Sequence, residues 1–346
     1  MKDISGSAAG QRAPVPAKGP RGGRRTGSGA FRRAAAVICL LALPLSGCGG
    51  DGGASAMSQS AADTAAPGGA YTFVWMSDTQ YYSASYPEIF SSMTEWIAGN
   101  EAEQNIKAVF HTGDLTDDGA DSAQWENAVS AMSTLSGVVP YTVLAGNKDV
   151  SIGGSDSDYS AFLKYFGACG GGSVLRDGSG EAMALLLEAG ATKYVVLALG
   201  WNADDGALSW ANGVLAEYPD RVAIVTTHDY LDKKAELSEN GERIYREIVE
   251  PNANVRLVLC GHKYCAARRT TEIDDDGDGA ADRTVYQLIA DYQNGENGGD
   301  GFMRLLTVDE AAKTLTVRTY SPYMDKYDCF SADEDEFTLS IADWWS

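Results

Sequence analysis

The chain is poor in histidine, in basic residues and in long apolar runs. Its 346 residues include three His and 27 Lys or Arg against 48 Asp or Glu, for a formal net charge of −21. The basic residues are concentrated near the N-terminus, so residues 71–346 contain 19 Lys or Arg against 45 Asp or Glu. A surface this acidic repels nucleic acid phosphates and anionic lipid headgroups. We therefore expect no nucleic acid polymer as a partner.

The apolar run at 34–45 follows an arginine-rich stretch and is too short to span a bilayer as a helix. It ends in the letters LSGC, which look like a bacterial lipobox ending at Cys48. We predict a signal peptide over residues 1–48, with Cys48 lipidated as the mature N-terminus; an ordinary cleaved signal peptide is the alternative. The lipid is then the only expected membrane contact, and the chain is lipid-anchored and extracytoplasmic on a bacterial cell membrane.

Cysteine is also scarce, with six in the chain. Cys39 would leave with the signal peptide and Cys48 would carry the lipid, so four remain: Cys169, Cys260, Cys265 and Cys329. In an extracytoplasmic domain these four allow two disulfides with three connectivities, among which the sequence does not choose. Free buried thiols are equally open, because a domain of this size folds without disulfides.

Beyond the signal peptide the chain divides into a tether and one domain. Residues 49–70 are mostly Gly, Ala and Ser and cannot form a core, so we predict a flexible tether there. From Tyr71 to the end, at residue 346, short apolar strands alternate with amphipathic helices. We predict strands over 71–76, 107–111, 140–144, 194–199, 222–226 and 255–259, helices over 87–100, 122–135 and 208–217, and a strand-rich region without obvious helices after 270.

Polar residues follow the ends of five of these strands. They are Asp78, Asp114, Asn147, His228 and His262. Each alone has an ordinary explanation as a helix cap, a turn or a buried histidine. Five in the same relation to five strands instead predict an α/β sheet with a site at one edge. Carboxylate, amide oxygen and imidazole together suit divalent cations such as Mn²⁺, Zn²⁺ or Fe²⁺.

With their neighbours these residues form a series of short motifs. The series is D-T-Q at 78–80, G-D at 113–114, G-N-K-D at 146–149, His228 and G-H-K-Y at 261–264. In order and spacing it resembles the motifs D-x-H, G-D, G-N-H-D, H and G-H-x-H of the calcineurin-like metallophosphoesterases, over about residues 71–325. The resemblance implies a four-layer α/β/β/α sandwich with a two-metal centre, where the metals polarise a phosphoester and generate a hydroxide nucleophile.

The resemblance also assigns ligands to the two metal positions. Asp114 would bridge both metals, while Asn147, His228 and His262 complete the second position. The first position keeps Asp78 but has Gln80 and Tyr264 where the family has histidines. An amide oxygen is a weaker donor than imidazole, and a phenol binds a divalent cation poorly unless it is ionised. We therefore expect the first position to bind weakly or to prefer a harder ion, with a phenolate on Fe³⁺ as one option.

The predicted catalytic residues are Lys148 and Asp149, from the third motif. Lys148 stands where the family has the histidine that assists the leaving group. Its ammonium can neutralise charge on phosphoryl oxygens, but it is a poor proton donor at neutral pH unless nearby metals lower its pKa. One hypothesis is that this ammonium partly replaces a missing metal in the first position.

Two functions follow from these motifs. We favour a metal-dependent phosphoesterase that hydrolyses a phosphomonoester or phosphodiester through a metal-activated water, with a small-molecule or envelope phosphoester as substrate. The alternative is a catalytically weak or inactive lipoprotein on this fold that binds a phosphate-bearing or cell-envelope partner. The complete second metal position favours the enzyme, since it would be free to decay if no metal were used.

Some residues outside the motifs are weaker candidates. Carboxylates at alternate positions in 274–282 resemble the first half of an EF-hand calcium loop, with Val285 where the last ligand would be. A weak structural calcium site there and an acidic, solvated hairpin tip are equally open; the ligands would be Asp274, Asp276, Asp278 and Asp282. His111, Arg304 and the segment 291–293 are candidates near the site, although local structural roles are the ordinary explanation for them.

Overall fold

The computed structural model describes residues 69–155, 157–170 and 173–345. The predicted signal peptide, with Cys39 and Cys48, and residues 49–68 of the predicted tether lie outside the described residues, so lipidation of Cys48 stays a prediction. Within the described residues, no helix has both the length and the apolarity that a bilayer crossing requires. Cys169, Cys260, Cys265 and Cys329 are free thiols in the part of the chain that the structure describes.

The described residues form fourteen strands and eight α-helices. The strands β1 to β14 are Tyr71–Met76, Ile106–His111, Tyr141–Val143, Val174–Arg176, Ala182–Ala189, Thr192–Leu199, Val222–Thr227, Val255–Cys260, Cys265–Ile273, Arg283–Asp291, Met303–Asp309, Thr314–Ser321, Lys326–Tyr327 and Glu336–Ser340. The helices α1 to α8 are Gln80–Ser85, Pro87–Gly99, Ser122–Ser133, Asn147–Val150, Ser160–Phe166, Asp205–Glu217, Glu239–Ile244 and Ala332–Asp335. A π-helical turn, Tyr245–Val249, continues α7, and 3₁₀ turns cover Glu296–Gly298 and Ala342–Trp345.

The strands are arranged in two sheets of seven. The first has the order β13-β12-β11-β1-β2-β3, with β14 paired to β12, and the second has the order β4-β5-β6-β7-β8-β10-β9. Strands β1, β2 and β3 are parallel, as are β6, β7, β8 and β10. The carboxyl ends of parallel strands meet at one edge of a sheet, so each sheet has one edge where several strands end together.

The two sheets pack face to face between two layers of helices. Alternate residues of β1 point to opposite faces, as the period of a strand requires. Phe73 packs in a core between the sheets with Tyr194 of β6, while Val74 packs with α2 and α3. On the outer face of the second sheet, α6 and α7 cover a third core that includes Val225. These cores confirm the four-layer α/β/β/α sandwich.

Local sequence signals place the main helices. Pro87 lies in the first turn of α2, where its missing N–H costs nothing. The carboxylates of Asp121 and Asp204 accept hydrogen bonds from Ala123 and Ala207 and so cap α3 and α6. The helices predicted over 87–100, 122–135 and 208–217 are thus confirmed. The expectation of no helix after 270 was wrong for the single turn of α8, which is too short to show a helical period.

Candidate metal centre

The motif loops of the two sheets meet at one edge. In the first sheet the last residues of the three parallel strands, Met76, His111 and Val143, lie level with one another. Asp78, Asp114 and Asn147 follow them by two to four residues. A hydrogen bond crosses to the second sheet, since the backbone N–H of His262 donates to Asp78 Oδ2 over 3.1 Å. Side chains from both sheets therefore converge on one site.

Three of the site residues adopt a backbone conformation that non-glycine residues rarely use. Asp78, Asp114 and His262 have φ angles of 54°, 52° and 73°. Such conformations carry strain and persist where surrounding contacts hold them. Here the backbone N–H of Asp78 donates to the carbonyl of Gly113 over 3.1 Å, which ties the first two loops together.

The motif glycines allow the loops to approach one another. A Cβ atom on Gly146 would collide with the backbone nitrogen and the carboxylate of Asp114. A Cβ atom on Gly261 would collide with the carboxylate of Asp78 and the hydroxyl of Ser77. The glycines of the G-N and G-H motifs therefore leave room for the two carboxylates.

At the centre of the site lie Asp78, Asp114 and His228, all buried, with candidate ligand atoms within 4.8 Å of one another. His228 Nε2 is 3.4 Å from Asp114 Oδ1 and 3.1 Å from Asn147 Oδ1. On the other side of the ring, His228 Nδ1 donates to the carbonyl of Thr112 over 2.8 Å. This bond directs Nε2 to the cluster, the arrangement that a metal-binding imidazole needs.

His262, the remaining residue predicted for the second metal position, lies beside His228. The centre of its ring lies 4.9 Å from the ring of His228 and 5.2 Å from the ring of Trp201. Its Nε2 atom is 2.8 Å from Lys263 Nζ. The structure thus brings together all four residues predicted for this position: Asp114, Asn147, His228 and His262.

The residues predicted for the first metal position do not all lie together. Gln80 is fully buried, and its Nε2 atom donates to Asp114 Oδ2 over 3.4 Å and to the side-chain oxygen of Gln293. Its Oε1 atom is buried without a hydrogen-bond partner. The ring of Tyr264, by contrast, packs edge-to-face on Phe330 with 5.2 Å between centres. Gln80 therefore lies in the cluster with Asp114, whereas Tyr264 packs against Phe330.

The structure adds Asp291 and Gln293 to the site. Asp291 is fully buried at the end of β10, and its Oδ2 atom accepts from Gln293 Nε2 over 2.7 Å. The same nitrogen is 3.5 Å from Asp78 Oδ1. From the sequence, the segment 291–293 was only a weaker candidate near the site. The available signal was that Asp291 follows a short apolar run at 288–290.

Of the predicted catalytic pair, Lys148 reaches towards solvent. Its Nζ atom is 3.0 Å from Asp117 Oδ1, and 41% of its side chain is exposed. This hydrogen bond raises the pKa of Lys148 above its usual value. The backbone N–H of the same residue donates to Asp114 Oδ1 over 2.9 Å. The ammonium thus pairs with Asp117 rather than with Asp78, which does not favour its replacing a first-position metal.

Asp149 instead holds the loops in place. Its carboxylate accepts hydrogen bonds of 2.9–3.1 Å from the backbone N–H groups of Leu115, Thr116 and Gly146 and from the hydroxyl of Thr116. These donors belong to the loops that carry Asp114 and Asn147. The structure therefore gives Asp149 a positioning role.

The remaining candidates near the site lie behind it. The ring of His111 is buried and contacts the hydroxyl of Thr79 at 2.9 Å and the N–H of Gly113 at 3.2 Å. Arg304 is buried and donates to the hydroxyl of Tyr292 over 3.0 Å. Both residues support local packing rather than lining an open cleft.

The electrostatics of the cluster show a shortage of positive charge. Burial, with the neighbouring Asp291 charge, raises the pKa of Asp78 well above its usual range, and burial raises the pKa of Asp291 to about 6. Burial opposes the charging of His228, but the carboxylates of Asp114 and Asp78 outweigh it and raise the pKa of His228 to about 10. Burial and the His228 charge lower the pKa of His262 to about 3.

These properties fit a divalent cation. A cation would neutralise the buried carboxylates and could bind a ring nitrogen of the neutral His262. It would also provide a partner for Gln80 Oε1, which has none. The donor set of oxygens and imidazoles suits Mn²⁺, Zn²⁺ or Fe²⁺.

The predicted calcium loop is the hairpin between β9 and β10. The carboxylates of Asp274, Asp276 and Asp282 lie within 4.8 Å of one another and are exposed. The carboxylate of Asp278 instead accepts a hydrogen bond from the N–H of Ala280 over 2.8 Å. Calcium binding by this loop stays a prediction.

The sequence matches one family model over residues 71–265, more than half of the chain, and that model describes the calcineurin-like phosphoesterases. The chain belongs to this family. The match covers the elements from β1 to the end of the motif at 261–264, which includes all the motif residues predicted as metal ligands but not Asp291 or Gln293. The family is therefore shown by the part of the chain that forms the site.

Comparison with individual proteins gives one relative of high identity. The chain is 48% identical over 285 residues to the uncharacterized protein YvnB of Bacillus subtilis (strain 168). That match covers 78% of this chain but 22% of the relative, so the chain spans about a fifth of the relative's length.

Two solved structures share the fold at low identity. A purple acid phosphatase, PPD1, from yellow lupin (Lupinus luteus) seeds matches 80% of this chain and 55% of its own, with a TM-score of 0.53 and 14% identity. GAP50 of Plasmodium, described as the anchor in the inner membrane complex, matches 79% of this chain and 88% of its own, with a TM-score of 0.50 and 11% identity. At these identities the likeness concerns the fold alone.

Proposed function

We propose that this phosphoesterase hydrolyses a phosphomonoester or phosphodiester on the outside of a bacterial cell membrane, to which a lipid on Cys48 attaches it. The observation that carries the proposal is the buried group of Asp78, Asp114 and His228. Asn147 and His262, which belong to the third and fifth motifs of the family series, lie beside this group. The substrate is a small-molecule or envelope phosphoester.

The side chains prepare the site for a cation and a phosphoryl group. Asp114 lies between the two positions, because it contacts both Gln80 and His228. A bound divalent cation would supply Lewis-acid activation of a phosphoryl oxygen and of water. Trp201 packs beside the rings of His228 and His262, at 5.9 and 5.2 Å between centres, and so limits the movement of these two rings.

Lys148 sets the charge at the mouth of the site. Its backbone orients Asp114, while its ammonium stays protonated beside Asp117. It can therefore attract a phosphate without donating a proton to the leaving group. This predicts a slow enzyme with a preference for esters whose leaving group is already stable as an anion.

A second candidate function is binding without efficient turnover. It is favoured by the exchange of three family histidines for Gln80, Lys148 and Tyr264. GAP50, which shares the fold, is described as an anchor. On this proposal the chain would hold a phosphate-bearing or cell-envelope partner at the same edge of the sheets.

Metal content and turnover of the full-length chain test the proposal. We expect one to two metal ions per chain by elemental analysis, and hydrolysis of bis-p-nitrophenyl phosphate or p-nitrophenyl phosphate that rises with Mn²⁺ and stops with EDTA. Asp114→Asn should abolish turnover, while Glu188→Gln on the exposed face of β5 should leave it unchanged. Metal binding without turnover under any cation would favour the binding function.

Membrane attachment has a separate test. We expect the full-length chain in the membrane fraction of a bacterial host and the Cys48→Ser variant in the soluble extracytoplasmic fraction. An unchanged distribution in the variant would contradict lipidation at Cys48.

A further inference from the structure

The end of β10 lies beside the metal centre in a defined register. Strands β8 and β10 are parallel neighbours, with Cys260 opposite Ile289. His262 follows Cys260 by two residues, and Asp291 follows Ile289 by two residues. Asp291 is therefore at the level of His262, one strand further along the same edge of the second sheet.

Two amide side chains connect this carboxylate to the cluster. Gln293 Nε2 lies 2.7 Å from Asp291 Oδ2 and 3.5 Å from Asp78 Oδ1. The side-chain oxygen of Gln293 accepts from Gln80, whose Nε2 atom also donates to Asp114. The N–H groups of two neutral amides thus face three buried carboxylates.

Two carboxylates at this end of the cluster have no basic side chain in direct contact with them. In the described part of the chain, neither Asp78 nor Asp291 forms an ion pair with a Lys, Arg or His nitrogen. Both are fully buried or nearly so. Buried carboxylates without a direct ion pair are costly, and a bound cation offsets that cost.

An independent observation points to a ligand at the same place. Gln80 is fully buried, yet its Oε1 atom has no hydrogen-bond partner. A half-turn of each amide would exchange its nitrogen and oxygen, so that Gln80 and Gln293 would present oxygens towards the carboxylates. Oxygens facing carboxylates repel one another unless a cation lies between them.

We propose that Asp291, Gln80 and Gln293 join Asp78 and Asp114 to form a first cation position made only of oxygen donors. The inference rests on the proposed function, because it concerns the same metal centre. In this position Asp291 and Gln293 would bind the cation in place of the two family histidines that Gln80 and Tyr264 replace. Tyr264, which packs on Phe330, is not required.

The donor set determines which cation each position takes. Carboxylate and amide oxygens suit Mg²⁺ and Mn²⁺, whereas imidazoles suit Zn²⁺ and Fe²⁺ as well. The first position is therefore selective for a hard cation, and the second position, with His228 and His262, retains Zn²⁺. The centre as a whole binds two different metals.

Cation binding to the metal-free, full-length chain tests the inference without reference to activity. We expect two Mn²⁺ ions per chain by titration calorimetry and elemental analysis, with an electron paramagnetic resonance spectrum of a spin-coupled pair. With Zn²⁺ and excess Mg²⁺ together, one ion of each should bind. Asp291→Asn should leave a single Mn²⁺ with an uncoupled spectrum and should retain Zn²⁺.

Two further variants separate the inference from a general loss of structure. Gln293→Ala keeps every carboxylate and should weaken the first Mn²⁺ about tenfold, within the range for groups around a metal. Asp335→Asn neutralises a buried carboxylate beside Arg304 and should bind both ions as the unmodified chain does.

The outcomes distinguish this inference from the proposed function. Two coupled Mn²⁺ ions in the Asp291→Asn variant, with unchanged affinities, would overturn the oxygen-only position and leave the phosphoesterase standing. A single Mn²⁺ in the unmodified chain would likewise overturn it. Binding of no metal by the unmodified chain would overturn both.

Discussion

At the scale of single residues, the site combines a strained backbone with carboxylates that accept hydrogen bonds from neighbouring loops. Asp78 and Asp114 have positive φ angles, and each accepts hydrogen bonds from a neighbouring loop. The cost of such a conformation, about 1–3 kcal/mol per residue, must be offset by the surrounding contacts. Residues that hold the loops should therefore affect metal binding without touching a metal.

Asp149 is the clearest of these residues. Because its carboxylate accepts four hydrogen bonds, Asp149→Asn would place an amide N–H group against N–H donors. We expect the free energy of unfolding to fall by about 2–4 kcal/mol. The affinity of the second metal position should fall as well. Urea unfolding and calorimetric Zn²⁺ titration would measure the two effects, and a loss of stability with unchanged Zn²⁺ affinity would contradict a positioning role.

Lys148 gives a prediction about the leaving group. Lys148→His would introduce a proton donor that titrates near neutral pH, and general-acid help is worth about 10²-fold or more. We expect kcat for an alkyl phosphoester to rise by about this factor, with little change for p-nitrophenyl esters, whose leaving group needs no proton. Lys148→Met is the control, since it removes the charge without adding a donor. Equal gains on both esters would argue against proton donation.

At the scale of elements, the strands of the core were predictable because they are short runs of Val, Ile, Leu and aromatic residues. The predicted strands at 71–76, 222–226 and 255–259 match β1, β7 and β8 within one residue. Helix α1 was missed, since the six residues Gln80–Ser85 are too few and too polar to show a helical period. The position of Asp291 beside His262 was missed because it depends on the register of β8 and β10, and the apolar run before Asp291 does not reveal that register.

The close contact between the loops that contain Gly146 and Asp114 gives a test at this scale. Gly146→Ala would drive a methyl group into the backbone and carboxylate of Asp114. Overpacking of this kind costs about 1–3 kcal/mol. We expect loss of that stability and of tight Zn²⁺ binding, measured by urea unfolding and calorimetry.

Gly213 in α6 is the matched control for that substitution. It lies in the helix with open space around it. Gly213→Ala should raise the free energy of unfolding by about 0.5–1 kcal/mol, because alanine has the higher helix propensity. If both alanine variants behaved alike, the crowding at Gly146 would not be what matters.

At the scale of the whole molecule, the site lies where two sheets meet, so its ligands also join the sheets. Asp114 belongs to a loop of the first sheet, and His228 and His262 belong to loops of the second. A cation bound by all three would hold the sheets together at this edge. Since ligands of the unfolded chain are scattered in sequence, binding energy adds to folding stability.

In the metal-free protein, the pKa values of the site residues determine whether stability rises or falls with pH. Burial raises the pKa of Asp291 from 3.8 to about 6, so the folded state keeps a proton that the unfolded chain has lost in this range. The contribution of Asp291 to the free energy of unfolding is therefore greatest below its pKa in the unfolded chain. It falls by about 2–3 kcal/mol as the pH rises through its pKa in the folded protein. His228, with its pKa raised to about 10, continues the fall above neutral pH.

A bound cation should reverse this dependence, because it requires the same carboxylates and imidazole without their protons. We expect the free energy of unfolding in EDTA to decrease from pH 4.5 to 7.5, and the stabilisation by Mn²⁺ to increase over the same interval. Asp291→Asn should make the EDTA curve less steep between pH 4 and 6, because the raised pKa values of Asp78 and Asp149 still contribute to the slope, whereas Glu188→Gln should leave it unchanged. Urea unfolding at a series of pH values would measure both curves. A parallel response with and without Mn²⁺ would mean that the cation does not compete with these protons, and that it binds elsewhere in the molecule.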